Sequence, residues 1–390
     1  MTESDAYLAL NMVPDVGAVT ARAGIEVFGS ARAFFLAGGD GLSRVRGVGR
    51  VRAAKIAAAL ATADWRGERQ RASSSRVTVV TQADPAYPPA LRTLHSPPLA
   101  LYVAGDPAAL SAPCLAIVGT RSPTMYGRER ARDFAYRAAL AGFVVVSGLA
   151  RGVDTEAAEG ALLARGRTVA VIGSALDRLY PPENRELARR IVAAGGAVVS
   201  EYPFGRQADR QTFPMRNRIV SGLSLGVLCV EAGVTSGTLI TADHAMEQGR
   251  SVMALPGRVT DPSALGCLRL IQQGARLVIS PDDVIDELSS LPGFSAVAQS
   301  AAADAGAAAD APPPPRQSAL QALPETDDPD ERKVLAALAA ESGLDADSIA
   351  RRAAVPAATL APLMIGLEMK GLVKLAPDGT YSLRRPRRGP

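Results

Sequence analysis

The sequence predicts an α/β fold: a Rossmann-like doubly wound parallel sheet, flanked by an N-terminal all-α helix-hairpin-helix (SAM-like) domain and a C-terminal winged-helix module. Three observations carry this. Between residues 114 and 290, seven short apolar runs (Cys114–Val118, Phe143–Ser147, Thr168–Ile172, Ala197–Ser200, Val227–Val230, Ser251–Leu255 and Arg276–Ile279) mostly alternate with helical stretches rich in Ala, Arg and Glu. Continuous apolar runs suit strands covered on both faces, and strand–helix alternation makes their sheet parallel. Composition also shifts on either side of this block, with glycine-flanked helical turns before it and an Ala/Pro-rich stretch after it. The expected boundaries are 1–75, 76–290, a linker over 291–329, and 330–386.

Totals narrow the function classes. With 390 residues and 47% hydrophobic content the chain can bury a core, built from Ala, Val, Leu and Ile because aromatics are only 4%. A net charge of +4 and a pI near 9.1 permit nucleic-acid binding without demonstrating it. Cys114, Cys229 and Cys267 follow no metal-ligand spacing, and His95 and His244 complete no zinc site with them. Reduced thiols in a cytoplasmic protein, with no metal and no cofactor, are expected. Met1–Asp5 is polar rather than a signal peptide, and no apolar run reaches the roughly 20 residues of a membrane helix.

Taken in order, residues 1–75 hold two hairpin signals, Val13-Pro-Asp15-Val-Gly17 and Val45-Arg-Gly47-Val48-Gly49. The second fits a helix-hairpin-helix: Gly47 and Gly49 expose backbone N–H groups that can hold a duplex phosphate, with Arg50 and Arg52 beside them. A plain helix connection explains the same residues equally well. In the first hairpin Asp15 occupies a glycine position and would repel phosphate, so there the plain connection is preferred. Residues 76–113 are punctuated by proline, with Val77–Thr81 and Ala100–Val103 as short strands extending the sheet edge.

In the central block, the segments after the strands carry the chemistry. They are Gly119-Thr120-Arg121-Ser122, Ser147-Gly148, Phe213-Pro-Met-Arg216-Asn217-Arg218 with Arg210 just before it, and Ser236-Gly237-Thr238. Ligands bind beyond the carboxyl ends of such strands, so these form one crevice rich in N–H donors and guanidinium. Neither Gly-x-Gly-x-x-Gly nor a P-loop is present. Arg121 would place a rigid fork where a cofactor pyrophosphate touches bare backbone, and arginine suits phosphodiesters. Phe213 among these cations fits base stacking, although a core role is open to it. Arg216 and Arg218 could instead pair with Glu201 or Glu231, and Asp154 and Asp177 suit capping or loop-pinning. Glu231 has no evident catalytic partner, so no catalytic residue is assigned.

These segments resemble the DNA-processing protein A family (DprA/Smf). The resemblance runs through Val118-Gly-Thr-Arg121 with Tyr126-Gly127, Ser147-Gly-Leu-Ala-Arg-Gly-Val-Asp154, Leu176-Asp177 with Tyr180-Pro and Asn184, Ser200-Glu-Tyr-Pro203, Phe213-Pro-Met-Arg-Asn-Arg218, Val230-Glu-Ala232, Ser236-Gly-Thr-Leu-Ile-Thr-Ala242 and Leu255-Pro-Gly257. It implies a single-strand DNA-binding mediator of transformation and recombination that protects the strand and loads RecA. It further implies that Arg121 and the loop of Phe213, Arg216, Asn217 and Arg218 contact the strand. Implied partners are single-stranded DNA, RecA, a single-strand-binding protein, and a second copy of the chain through the Rossmann domain. Two positions depart from the family pattern: Ala158 replaces a frequent histidine and Leu268 a frequent asparagine. The alternative is a Rossmann-like nucleotide enzyme, such as a nucleoside monophosphate phosphoribohydrolase, which Ser236-Gly-Thr with Glu231 faintly resembles.

From Leu291 to Pro329 the chain reads as a flexible tether. Helices follow over Asp330–Ala340, Asp345–Ala354 and Pro356–Gly371, then a hairpin of Leu372–Leu375 and Thr380–Leu383, the order of a winged helix. Its third helix offers only Lys370 and Glu368 as charges, which suits protein contact better than major-groove reading. The tail Arg384-Arg-Pro-Arg-Arg388 is either a non-specific DNA attractor or a solvated end.

Overall fold

The computed structural model describes residues 1–291, 326, 328–340, 346–370, 372–375 and 381–383. Nearly all of the expected tether, and the Arg384–Arg388 tail, lie outside the described residues. The chain divides into two compact units, Met1–Ala307 and Ala308–Pro390.

The first unit opens with helices α1 (Glu3–Asn11), α2 (Ala18–Phe28), α3 (Ala31–Leu36), α4 (Gly38–Leu42), α5 (Arg50–Thr62) and α6 (Trp65–Ser74). A capping box starts α1: Thr2 Oγ1 accepts from Asp5 N while Thr2 N donates to the Asp5 carboxylate. The two hairpins are conformational copies. Asp15 (φ 68) and Gly47 (φ 80) take the left-handed turn position, and Gly17 and Gly49 are the extended N-caps of α2 and α5. Aspartate tolerates that region better than most residues, which lets the first hairpin form without its glycine.

Strand β1 (Val77–Thr81) pairs antiparallel with β2 (Ala100–Gly105), and β2 pairs antiparallel with β6 (Ala197–Ser200). Helix α7 (Pro89–Arg92) lies between β1 and β2 in sequence. The rest alternates: β3 (Cys114–Val118), α8 (Met125–Leu140), β4 (Val144–Ser147), α9 (Val153–Leu163), β5 (Thr168–Val171), α10 (Arg185–Ala193), β6, α11 (Thr212–Leu223), β7 (Gly226–Cys229), α12 (Gly237–Glu247), β8 (Ser251–Ala254), α13 (Leu265–Gln272), β9 (Arg276–Leu277) and α14 (Pro281–Ser289). The sheet order is β1-β2-β6-β5-β4-β3-β7-β8-β9. From β6 to β9 every pairing is parallel. The order reverses at β3 and β7, the switch point of a doubly wound sheet.

Each expected strand is present to within two residues at either end. Successive side chains of β3 feed opposite cores, as the two-residue period requires. Cys114, Ala116 and Val118 pack with Val220 and Leu223 of α11 and Ala242 of α12. Leu115 and Ile117 pack with Phe134 of α8, Ala157 of α9 and Leu288 of α14. One expectation is corrected: the segment Phe213–Arg218 is not a loop but the first turns of α11.

The three cysteines are buried and free. Among the described residues no group of His, Cys, Asp and Glu could hold a metal ion, and no helix is long and apolar enough to cross a membrane. In the second unit, helices Pro329–Ala340, Ala346–Ala353 and Ala357–Met369 precede antiparallel strands Val373–Leu375 and Tyr381–Leu383. Leu335, Leu338, Ile349, Leu360 and Leu367 form its core.

Candidate nucleic-acid interface

The interface is built at the switch point. Thr120 N donates to Glu231 O (2.7 Å), tying the loop after β3 to the loop after β7. The Glu231 carboxylate, 4% exposed, accepts from Thr124 N (2.9 Å), Thr124 Oγ1 (2.9 Å) and Ser263 Oγ (2.8 Å). It is a structural clasp at the start of α8, where the helix dipole favours an anion.

Beside this clasp lies an open crevice of ≈ 390 Å³, whose lining includes Gly119, Thr120, Arg121, Gly148, Asp154, Phe213, Arg216, Asn217, Ser236, Gly237 and Thr238. Helix α11 supplies one wall through Phe213, Arg216, Asn217 and Val220, the i, i+3, i+4, i+7 face of a helix. The N-terminus of α12 supplies another. Ser236 caps it by accepting from Thr238 N (3.2 Å), and Asn217 Nδ2 donates to Gly237 O (3.4 Å). The first amides of a helix have no intrahelical acceptor, so this end favours an anion.

Arg121 is exposed, with its guanidinium 5.2 Å from the centroid of the Phe213 ring. Arg216 is its opposite, 5% exposed at the crevice floor. Its Nη1 donates to Gly148 O (2.6 Å) and to Val171 O, while its Nε is buried without a partner. Burial pushes its pKa down to about 10, resisted by Asp154, so it remains charged at neutral pH. Asp154, 7% exposed, accepts from Gly148 N (2.9 Å) and Ala150 N (3.2 Å) through one oxygen. Burial raises its pKa against the pull of Arg216 and the two amides. Asn184 fixes the same loop by donating to Leu149 O (2.9 Å). Asp154 therefore pins the loop, as expected, and also puts a carboxyl in the crevice wall, which the sequence did not indicate.

Three expected residues lie outside this lining. Arg218 is 8% exposed and ion-paired with Glu201, one of the pairings the sequence left open. Residues two apart on a helix point about 200° apart, so Arg216 and Arg218 cannot share one wall. Ser122 is exposed in the β3–α8 loop, and Arg210 is exposed just ahead of α11. In the N-terminal hairpins, Gly47, Gly49 and Arg50 are exposed. Arg52 is occupied instead: Nη1 donates to Gly47 O (3.1 Å), and Nη2 to Asp15 O (2.6 Å) and Thr20 Oγ1 (3.1 Å), so it ties the two hairpins together. In the second unit Lys370 is ion-paired with Glu331 (2.7 Å). Asp177 pins a loop by accepting from Gly205 N (3.0 Å).

Comparison with known proteins bears on this geometry. The family described as DNA recombination-mediator protein A matches residues 78–289, and the DprA winged helix domain matches residues 307–379. Protein Smf of Escherichia coli (strain K12) is 37% identical over 310 residues, 77% of this chain and 75% of that protein. Protein Smf of Synechocystis sp. is 43% identical over 217 residues, 55% of this chain and 54% of its own length, so the chain spans about half of that relative. The X-ray structure of DNA processing protein A from Streptococcus pneumoniae superposes with a TM-score of 0.64 at 33% identity, covering 74% of this chain and 98% of that one.

Proposed function

The chain belongs to the DNA recombination-mediator protein A family, and on that premise we propose that it binds single-stranded DNA in the switch-point crevice and delivers it to the RecA recombinase. The observation that carries this reading is the exposed Arg121 guanidinium lying over Phe213 at the mouth of a crevice closed by a helix N-terminus. A cation and an aromatic face side by side match the two repeating parts of an unpaired strand, phosphate and base. Buried Arg216 adds a fixed positive charge beneath, and exposed Arg210 extends the cationic approach. Neither arginine nor stacking reads base identity, so weak sequence preference follows.

Delivery to a recombinase calls for adjacent protomers. A homodimer through the Rossmann domain, with RecA and a single-strand-binding protein as partners, completes the proposal. The second unit suits protein contact, since Lys370 at the C-terminal end of its third helix is already held by Glu331. The role is non-catalytic: Glu231, the carboxylate a phosphoribohydrolase reading would use, is committed to Thr124 and Ser263.

Fluorescence anisotropy with labelled oligothymidine over a salt series tests strand binding. The expected result is tight binding that weakens linearly in log–log form as salt rises. RecA strand exchange on strands precoated with single-strand-binding protein tests delivery, and stimulation by this chain is expected. Absence of strand binding at low salt, or release of free base from nucleoside monophosphates, would overturn the reading.

A further inference from the structure

Phe213 lines a second cavity besides the crevice. This cavity, ≈ 30 Å³, is lined by Arg121, Gly148, Arg151, Tyr180 and Arg216 as well as by Phe213. It has room for an oxygen atom or two but not for a ring. At its edge stands Tyr180, 42% exposed. The Tyr180 and Phe213 ring centroids are 5.8 Å apart and their planes are inclined by 52°. Arg151 pairs with Glu183, both partners being roughly half exposed, so that ion pair is weak and can be exchanged for a phosphate.

We propose that Tyr180 and this cavity form a second nucleotide subsite, holding the neighbour of the nucleotide that stacks on Phe213. The base lies on the exposed Tyr180 ring, and a phosphate oxygen enters the cavity between Arg121 and Arg151. This rests on the reading of the crevice as a single-strand site. It adds a physical consequence: successive bases in a stacked strand or duplex are nearly parallel, whereas two bases held on rings inclined by 52° are not. The pair of subsites therefore accepts strands that unstack readily and rejects duplex by geometry, without reading sequence.

Anisotropy titrations of the full chain with oligothymidine and with an abasic deoxyribose-phosphate strand of equal length test this. Tyr180→Ala is expected to weaken oligothymidine binding about tenfold, while leaving abasic binding and the salt slope unchanged. Tyr180→Phe keeps the ring and is expected to stay within about twofold of the unaltered chain. Equal losses on both strands, or no loss on oligothymidine, would overturn the subsite and leave the crevice reading standing. Failure of the unaltered chain to bind either strand would remove both. Should Tyr180→Ala fail to fold, photocrosslinking of the unaltered chain to 5-iodouracil-substituted strands decides. An adduct on the Tyr180 peptide supports the subsite, and adducts confined to other peptides refute it.

Discussion

The guanidinium of Arg121 lies 5.2 Å from the centroid of the Phe213 ring. The cation and the aromatic face thus satisfy one another before any strand arrives. Binding as proposed separates their roles, sending the guanidinium to a phosphate and the ring to a base.

The two residues should therefore fail in different ways. Arg121→Ala is expected to weaken oligothymidine binding and flatten the salt slope by roughly 0.7 to 1. Phe213→Ala should weaken binding by about 1–3 kcal/mol with the slope unchanged. Anisotropy over a salt series reads both. An Arg121→Ala slope equal to that of the unaltered chain would remove this residue from phosphate contact.

Arg218 provides the contrast. Its side chain and that of Glu201 are 10% and 13% exposed, and breaking a buried pair strands a charge at a cost of roughly 3–5 kcal/mol. Arg218→Ala is expected to lower the denaturant midpoint strongly while leaving strand affinity, corrected for folded fraction, near that of the unaltered chain. An affinity loss matching that of Arg121→Ala would return Arg218 to the interface.

Gly148 tests how rigid the crevice floor is. A β-carbon there would strike the Arg216 guanidinium, which is itself tied to Gly148 O and Val171 O and cannot swing aside freely. Gly148→Ala should cost about 1–3 kcal/mol and weaken strand binding together with it. Thermal unfolding and anisotropy on the same preparation check the coupling. Unchanged values in both would show that Arg216 has room to relocate.

The sheet was legible because its strands are continuous apolar runs, and β3, for example, begins and ends where the pattern places it. The face of α11 was not, although Phe213, Arg216, Asn217 and Val220 keep a helical spacing. Pro214 does not break this helix. It falls in the first turn of the helix, where its missing N–H costs nothing. Once that stretch reads as a loop, Arg216 and Arg218 look equivalent; the helix makes one a crevice residue and the other the partner of Glu201. The link from Arg52 to Asp15 O is further out of reach, because it depends on two residues 37 positions apart meeting in space.

Asp154 yields a prediction whose sign is set by burial. Its carboxyl pKa is raised above the ordinary 3.8, with desolvation outweighing Arg216, the Ala150 and Gly148 amides and Arg121. From about 3.8 up to its folded value, the folded chain keeps a proton that the unfolded chain has released. Stability from this group therefore falls as pH rises through that window and is level above it. Asp154→Asn cannot titrate, so the unfolding free energy of the unaltered chain minus that of Asp154→Asn should decrease from about pH 3.5 towards neutrality. Paired urea titrations across that range measure the difference. A stability difference that grew with pH would mean that Arg216 and the amides outweigh desolvation at this carboxyl.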